Sequence, residues 1–147
     1  MRPPDVNYTP QDPDYRTHVE RLFYSMPFVN HLGITILDFG PGWLDCAMEN
    51  RPEAQQQNGF LHAGVIATLA DMSAGVAAAT LAPNALNTLS VEFKIALLKP
   101  LVGQRAIARG RVIKPGKTIS VAESWIYSVT GDTEKLCARG YLTLAIV

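Results

Sequence analysis

The segment Asn58–Thr80, NGFLHAGVIATLADMSAGVAAAT, is almost wholly apolar or small, yet His62 opens its helical run and one carboxylate, Asp71, stands in its middle. A lone carboxylate is costly to bury unless something compensates it. Set at roughly 100° steps from about Ala63 to Leu81, Gly64, Ala67, Thr68, Ala74, Gly75 and Ala78 all fall within about 60° of Asp71. Val65, Leu69, Met72 and Val76 make a separate stripe suited to ordinary core packing. Asp71 therefore lies off the hydrophobic seam, on a face small enough for another backbone, a second subunit or a ligand to come close. Two readings stay open: tight packing on a sheet with Asp71 bonded to a backbone N–H, or a catalytic carboxylate. Either one requires a partner.

On both sides of this helix the period changes. GITILDFG and GWLDCAMEN, split by Gly40-Pro41-Gly42, read as two strands and a turn, and RPEAQQQNGF as the loop into the helix. After Ala82-Pro83-Asn84, the run TLSVEFKI alternates, with Leu89, Val91, Phe93 and Ile95 on the face expected to be buried and Thr88, Ser90, Glu92 and Lys94 on the other. Three more strands are predicted over about 105–113, 119–129 and 135–146, with turns at Pro115-Gly116-Lys117 and Thr130-Gly131-Asp132. Four consecutive strands suggest an antiparallel meander. Residues 1–13 form a Pro-rich lead-in, and Asp14–Met26 a short amphipathic helix stopped near Pro27. The expected class is α+β: one sheet of about six strands with a long helix across it, in a single domain over 14–147.

Composition sets the bounds. A chain of 147 residues carries one core and not two. Zero formal net charge with 48% hydrophobic residues fits neither a nucleic-acid binder recognised by gross charge nor a disordered chain. His62, Asp71 and the small residues interrupt the longest apolar run, so no transmembrane segment is expected. The N-terminus lacks the basic-then-apolar order of a signal peptide, and a cytoplasmic protein is expected. Cys46 and Cys137 sit far apart in alternating apolar runs without metal or redox spacing, which implies reduced core thiols and no metal. Trp43 and Trp125, also in alternating runs, are expected to fill sheet surfaces.

His62 precedes a helix whose first N–H groups are orphaned at the positive end of its dipole. The N–H of Ala63 or Gly64 there could stabilise a carbonyl oxygen gaining negative charge. The plainer role for His62 is capping or packing.

These residues resemble the hotdog-fold acyl-CoA thioesterases of the phenylacetate-degradation and 4-hydroxybenzoyl-CoA type. That signature is an amide residue, then His-Gly-Gly opening the central helix, then an acid nine residues after the His. Here Gln56 precedes His62 by six residues, His62-Ala63-Gly64 stands for His-Gly-Gly, and Asp71 follows His62 by nine. TLSVEFKIALLKP and ARGRVIKPGKTISVAESWIY look like the family's later strands, and the likeness covers roughly residues 30–147. Ala63 departs from the usual glycine. The resemblance implies a hotdog fold and thioester hydrolysis without a cofactor. Asp71 would be general base or nucleophile, Ala63 with Gly64 the oxyanion donors, Gln56 the group orienting water or substrate, and His62 a residue that shapes the loop or polarises the carbonyl. Ser90 would lie near the reacting centre, unless it is simply a solvent-face residue, and Asn58 rivals Gln56 for the amide role.

The resemblance also implies an acyl-CoA substrate and a site shared between subunits of a homodimer or homotetramer, without nucleic acid or membrane. Lys99–Lys117 holds Lys99, Arg105, Arg109, Arg111, Lys114 and Lys117 and no acid. Within it Arg109, Arg111, Lys114 and Lys117 are candidates for the phosphates of coenzyme A. Alternatively Arg105, Arg109 and Arg111 form the solvated face of a strand. A non-catalytic acyl-CoA binding module is the rival function. A hydratase of the same fold is disfavoured by the lack of an Asp-x-Asn-x-x-x-x-His segment.

Overall fold

The computed structural model describes residues 1–83 and 88–147, so Asn84 of the expected turn lies outside the described residues. Helices α1 (Tyr15–Tyr24) and α2 (Pro27–Leu32) are followed by strands β1 (Thr35–Gly40) and β2 (Trp43–Glu49), helix α3 (Ala63–Ala79) and strands β3 (Thr88–Leu97), β4 (Arg105–Lys114), β5 (Ile119–Thr130) and β6 (Thr133–Ile146). The strands form one six-stranded sheet in the order β1-β2-β4-β5-β6-β3, antiparallel at every pairing. Helix α3 packs along one face of it, which is the hotdog arrangement of a sheet around a central helix.

Three local expectations need correction. First, the meander covers only β4, β5 and β6, because β3 pairs with β6 and β2 takes the place beside β4. The connection from β3 to β4 makes the crossing possible: Leu98 and Lys99 donate to the Cys137 carbonyl at 2.8 and 3.1 Å, Leu61 donates to the Leu101 carbonyl at 3.0 Å, and Leu101 is fully buried. Second, Pro27 opens a helix as well as ending one. It occupies the first turn of α2, and Gly33 ends that helix in the left-handed region at φ 68°. Third, α3 stops at Ala79, since the Thr80 hydroxyl donates back to the Ala77 carbonyl at 2.6 Å while accepting from the Gly42 N–H at 2.7 Å. That pair ties the helix end to the β1–β2 turn.

The α3 face of the sheet is built for close approach. A Cβ at Gly110 would come within 2.7 Å of the Ala74 nitrogen and closer still to the Ser73 carbonyl, so backbone meets backbone there. The Ser73 and Ser124 hydroxyls satisfy each other at 2.6 Å in the same layer. Leu69, Ile126, Leu142 and Leu144 are fully buried around this contact, each contributing about 1.5–3 kcal/mol of transfer free energy. Cys46 and Cys137 are buried free thiols, and burial pushes both up from the ordinary thiol range.

The opposite face carries paired charge, which corrects the expectation of a solvated arginine face at Arg109 and Arg111. Arg109 makes a two-pronged pair with Glu134 at 2.7 and 2.8 Å and lies 3.4 Å from Asp45, while Arg111 bonds Asp45 at 2.7 Å. Each guanidinium also lies over an aromatic ring, Arg109 on Tyr127 and Arg111 on Trp43. Trp125 is buried on this face under Arg139, as expected for a residue filling the sheet surface. The Arg109 bonds hold the Glu134 carboxyl below the usual carboxylate range. A depressed carboxylate adds stability that is present above its unfolded value near ~4.3 and is lost as pH falls through the folded value. Glu134→Gln should therefore lower the thermal midpoint by roughly 2–4 °C at neutral pH, as about 1 kcal/mol in a chain of this size would. In melts taken from pH 7 downward, the gap from wild type should close below about pH 4; a gap that persists there would argue against the ion pair as its source.

Candidate active site

The loop between β2 and α3 is held on both sides. Asn50 donates to the Gln104 and Gly103 carbonyls at 2.8 and 2.9 Å, and the His62 N–H donates to the Ala54 carbonyl at 2.9 Å. Within it the Gln56 N–H bonds the Phe60 carbonyl at 2.8 Å and Gly59 turns the chain at φ 79°. The Asn58 N–H donates to the Gln56 side-chain oxygen, so Asn58 braces Gln56. Gln56 and Ala63 line a common cavity of about 270 Å³ together with Ile66, Leu98 and Lys99, and Asn58 is not among its lining residues.

His62 is the N-cap of α3, and its Nδ1 accepts the Gly64 N–H at 2.9 Å. That contact fixes Nδ1 as the unprotonated ring nitrogen. It also occupies one of the two expected oxyanion donors. The Ala63 N–H has no protein partner among the described residues, and Ala63 lines the same cavity as Gln56.

Asp71 sits in the middle of α3, half-buried on the small-residue face, where Gly64, Ala67, Thr68 and Gly75 also remain accessible. Its partner is Ser90, whose hydroxyl donates to Oδ1. Strict alternation places Ser90 on the polar face of β3, away from the helix. A bulge at Val91 changes this: Ser90 pairs with Leu144 and Glu92 with Thr143, leaving Val91 without an opposite residue. Thr88 and Ser90 thereby face α3, the Thr88 hydroxyl bonding the Gly75 carbonyl at 3.0 Å, and beyond the bulge Phe93 lines a cavity with Asp71.

Nine helical residues at 1.5 Å each put Asp71 roughly 13 Å along the axis from His62. Within one chain the candidates thus fall into two separate groups, Gln56 with Ala63 at the helix start and Asp71 with Ser90 at mid-helix.

The basic candidates divide. Arg109 and Arg111 are matched by carboxylates on the sheet face away from α3 and leave no charge for a phosphate. Lys114 and Lys117 are exposed and form no ion pair among the described residues; Lys117 lies beside Ala78 and Leu81, near the opposite end of α3 from His62. Lys99, which opens the basic run but is not among its four named candidates, is the cation that lines the Gln56–Ala63 cavity. The contribution of α2 was also missed, although Pro27 and Gly33 supply the start and stop signals. Among the described residues no cluster of His, Cys, Asp and Glu could hold a metal, and no helix is long and apolar enough to cross a membrane.

Residues 58–135 match the family model described as the thioesterase superfamily. A solved thioesterase family protein from Silicibacter pomeroyi is 35% identical, with a TM-score of 0.87 over 89% of this chain and 96% of that one. Mouse acyl-coenzyme A thioesterase 13 is 29% identical over 108 residues, 73% of this chain and 75% of the relative. The Escherichia coli PaaI protein of the phenylacetic acid degradation operon shares the fold at TM-score 0.81 and 18% identity, over 91% of this chain and 94% of that one.

Proposed function

The chain belongs to the thioesterase superfamily, and we propose that it hydrolyses acyl-CoA thioesters, with Asp71 as the reacting carboxylate. The observation that carries this reading is the pairing of Ser90 with Asp71 beside an apolar cavity, on a helix whose first residue, Ala63, lines a second cavity with Gln56. Ala63 N–H binds the thioester oxygen and stabilises it as it becomes an oxyanion. In the general-base route Asp71 takes a proton from water as the water oxygen adds to the carbonyl carbon. The tetrahedral intermediate then collapses, the C–S bond breaks, and the proton passes to the coenzyme A thiolate, leaving free acid. In the nucleophilic route the Asp71 oxygen adds instead, and the tetrahedral adduct breaks its C–S bond to expel the thiolate and leave a mixed anhydride; water cleaves that anhydride, freeing the acid, restoring the carboxylate and giving its proton to the thiolate. Gln56 orients water or substrate, and His62 sets the donor geometry by capping Gly64.

The roughly 13 Å between half-sites is too long for one carbonyl to reach both, so Asp71 of one chain serves the Gln56–Ala63 end of a second. A homodimer, alone or doubled into a tetramer, provides this. Its support is the outermost position of β3, whose Leu89, Val91 and Phe93 are each more than half exposed in the single chain. Lys114 and Lys117 keep the proposed phosphate role, and Lys99 joins them.

Free-thiol release from a panel of aromatic and aliphatic acyl-CoAs tests the reading. Turnover above the Asp71→Ala background supports it; binding without thiol release would instead identify a non-catalytic acyl-CoA module. Ser90→Ala removes the hydrogen bond that holds Asp71 and should lower kcat about tenfold, as losing a bond of ~1.5 kcal/mol to a charged group would. Unaltered kcat in steady-state assays would reduce Ser90 to a bystander.

A further inference from the structure

Two cavities meet at Asp71. One of about 220 Å³ runs toward Val76, Thr88 and Leu89, and one of about 600 Å³ runs under α2 toward Phe28 and Phe93. Met26, Asp71 and Met72 line both, so these three side chains form the wall between them. Asp71 carries the chemistry, and Met72 is buried in the core on α3. Met26 differs. It stands at the junction of α1 and α2, where its N–H bonds the Phe23 carbonyl at 3.4 Å and its carbonyl accepts from Asn30 at 3.1 Å. Its backbone is fixed, while its partly buried side chain is an unbranched thioether that can change shape.

The chemistry of the walls limits what fits. Within one chain neither cavity is lined by a Lys, Arg or His, and the one charge this chain places there, Asp71, is negative. The hydroxyls are already engaged: Thr68 donates to the Gly64 carbonyl at 2.9 Å, Thr88 to the Gly75 carbonyl, and Ser90 to Asp71. An anionic group would meet repulsion from Asp71 and find each of these hydroxyl donors already engaged. The larger cavity falls within the ~300–1,000 Å³ usual for small-molecule sites, and the smaller is below it.

Resting on the thioesterase reading of this site, we propose that Met26 sets the length of acyl group accepted, by dividing the space beside Asp71, and that the acyl group is uncharged and apolar. A chain entering beside Asp71 fills one chamber and stops at Met26. Truncating Met26 joins the chambers, and enlarging it shortens the space.

Thiol release from straight-chain acyl-CoAs of increasing length, and from ω-carboxylated acyl-CoAs of matching length, tests this with wild type, Met26→Ala and Met26→Trp. Met26→Ala should move the kcat/KM optimum to longer chains and Met26→Trp to shorter ones, by about tenfold per methylene at the limit of the pocket. The ω-carboxylated compounds should be the poorer substrates of the wild type. One length ranking shared by all three proteins overturns the proposal even if thermal midpoints differ, as does a preference for ω-carboxylated chains. Dissociation constants of the corresponding non-hydrolysable acyl-CoA thioethers read the same length limit without turnover. Failure of hydrolysis and failure of the Met26 wall are thereby separate results.

Discussion

Asp71→Asn is expected to lower kcat by about 10²–10⁴, the range supplied by a positioned general base, while thermal midpoint and KM stay close to wild type. The reason lies in the local geometry. Asparagine keeps the size and the carbonyl oxygen that accepts from Ser90, so the hydrogen bond at mid-helix persists, whereas an amide neither takes a proton from water nor attacks a carbonyl carbon. Steady-state thiol release with a parallel thermal melt separates the outcomes. Lost activity with an unchanged melt marks a reacting group; lost activity with a collapsed melt would mark a structural carboxylate.

Gly110→Ala is expected to be among the most damaging single-methyl additions this fold can receive. The new Cβ would press on the Ser73 carbonyl and lie 2.7 Å from the Ala74 nitrogen, and both belong to the backbone of α3. No rotamer change relieves that contact, so helix and sheet must separate across a densely packed layer. The cost should reach or exceed ~3 kcal/mol, the upper end of ordinary overpacking, or roughly 10 °C in thermal midpoint. Gly140→Ala is the control: its Cβ would meet the Ala70 methyl at 3.3 Å, a contact that a few tenths of an ångström relieves. Urea unfolding of the two variants should differ severalfold in lost stability, and equal losses would show that α3 is not seated on β4 as described. Because α3 carries both Ala63 and Asp71, Gly110→Ala should also lose activity in step with folding.

The elements that local pattern specifies were legible in the sequence. Helix α3 declares itself by its apolar stripe and by the cap that His62 provides, and each strand by its alternation. What pattern does not encode is which strand lies beside which. Nothing in TLSVEFKI distinguishes an edge strand paired with β6 from a meander strand paired with β4, because the determining contacts are carried by Leu61, Leu101 and Cys137, far away in the chain. The bulge at Val91 was equally invisible, and it decides the site, since without it Ser90 would face away from Asp71. The basic run misled for a related reason. No acid lies within Lys99–Lys117, but Asp45 from the adjacent β2 and Glu134 from β6, reaching across β5, neutralise Arg109 and Arg111. The spacing of Gln56, His62 and Asp71 was legible and names the residues proposed to react, while the helical rise that sets the last two roughly 13 Å apart follows only once the helix is placed.

The claim that the site is shared between chains is tested most directly by mixing two impaired variants. Asp71→Asn and Gln56→Ala damage opposite half-sites, and the two-fold symmetry of a dimer gives each mixed pair one intact site and one doubly damaged site. After co-refolding or subunit exchange in equal amounts, thiol release should rise to about a quarter of wild type, since half the dimers are mixed and half their sites are whole. A mixture that stays at the mean of the two variants, with exchange verified by differently tagged chains, would contradict a site built from Asp71 of one subunit and Gln56 with Ala63 of the other.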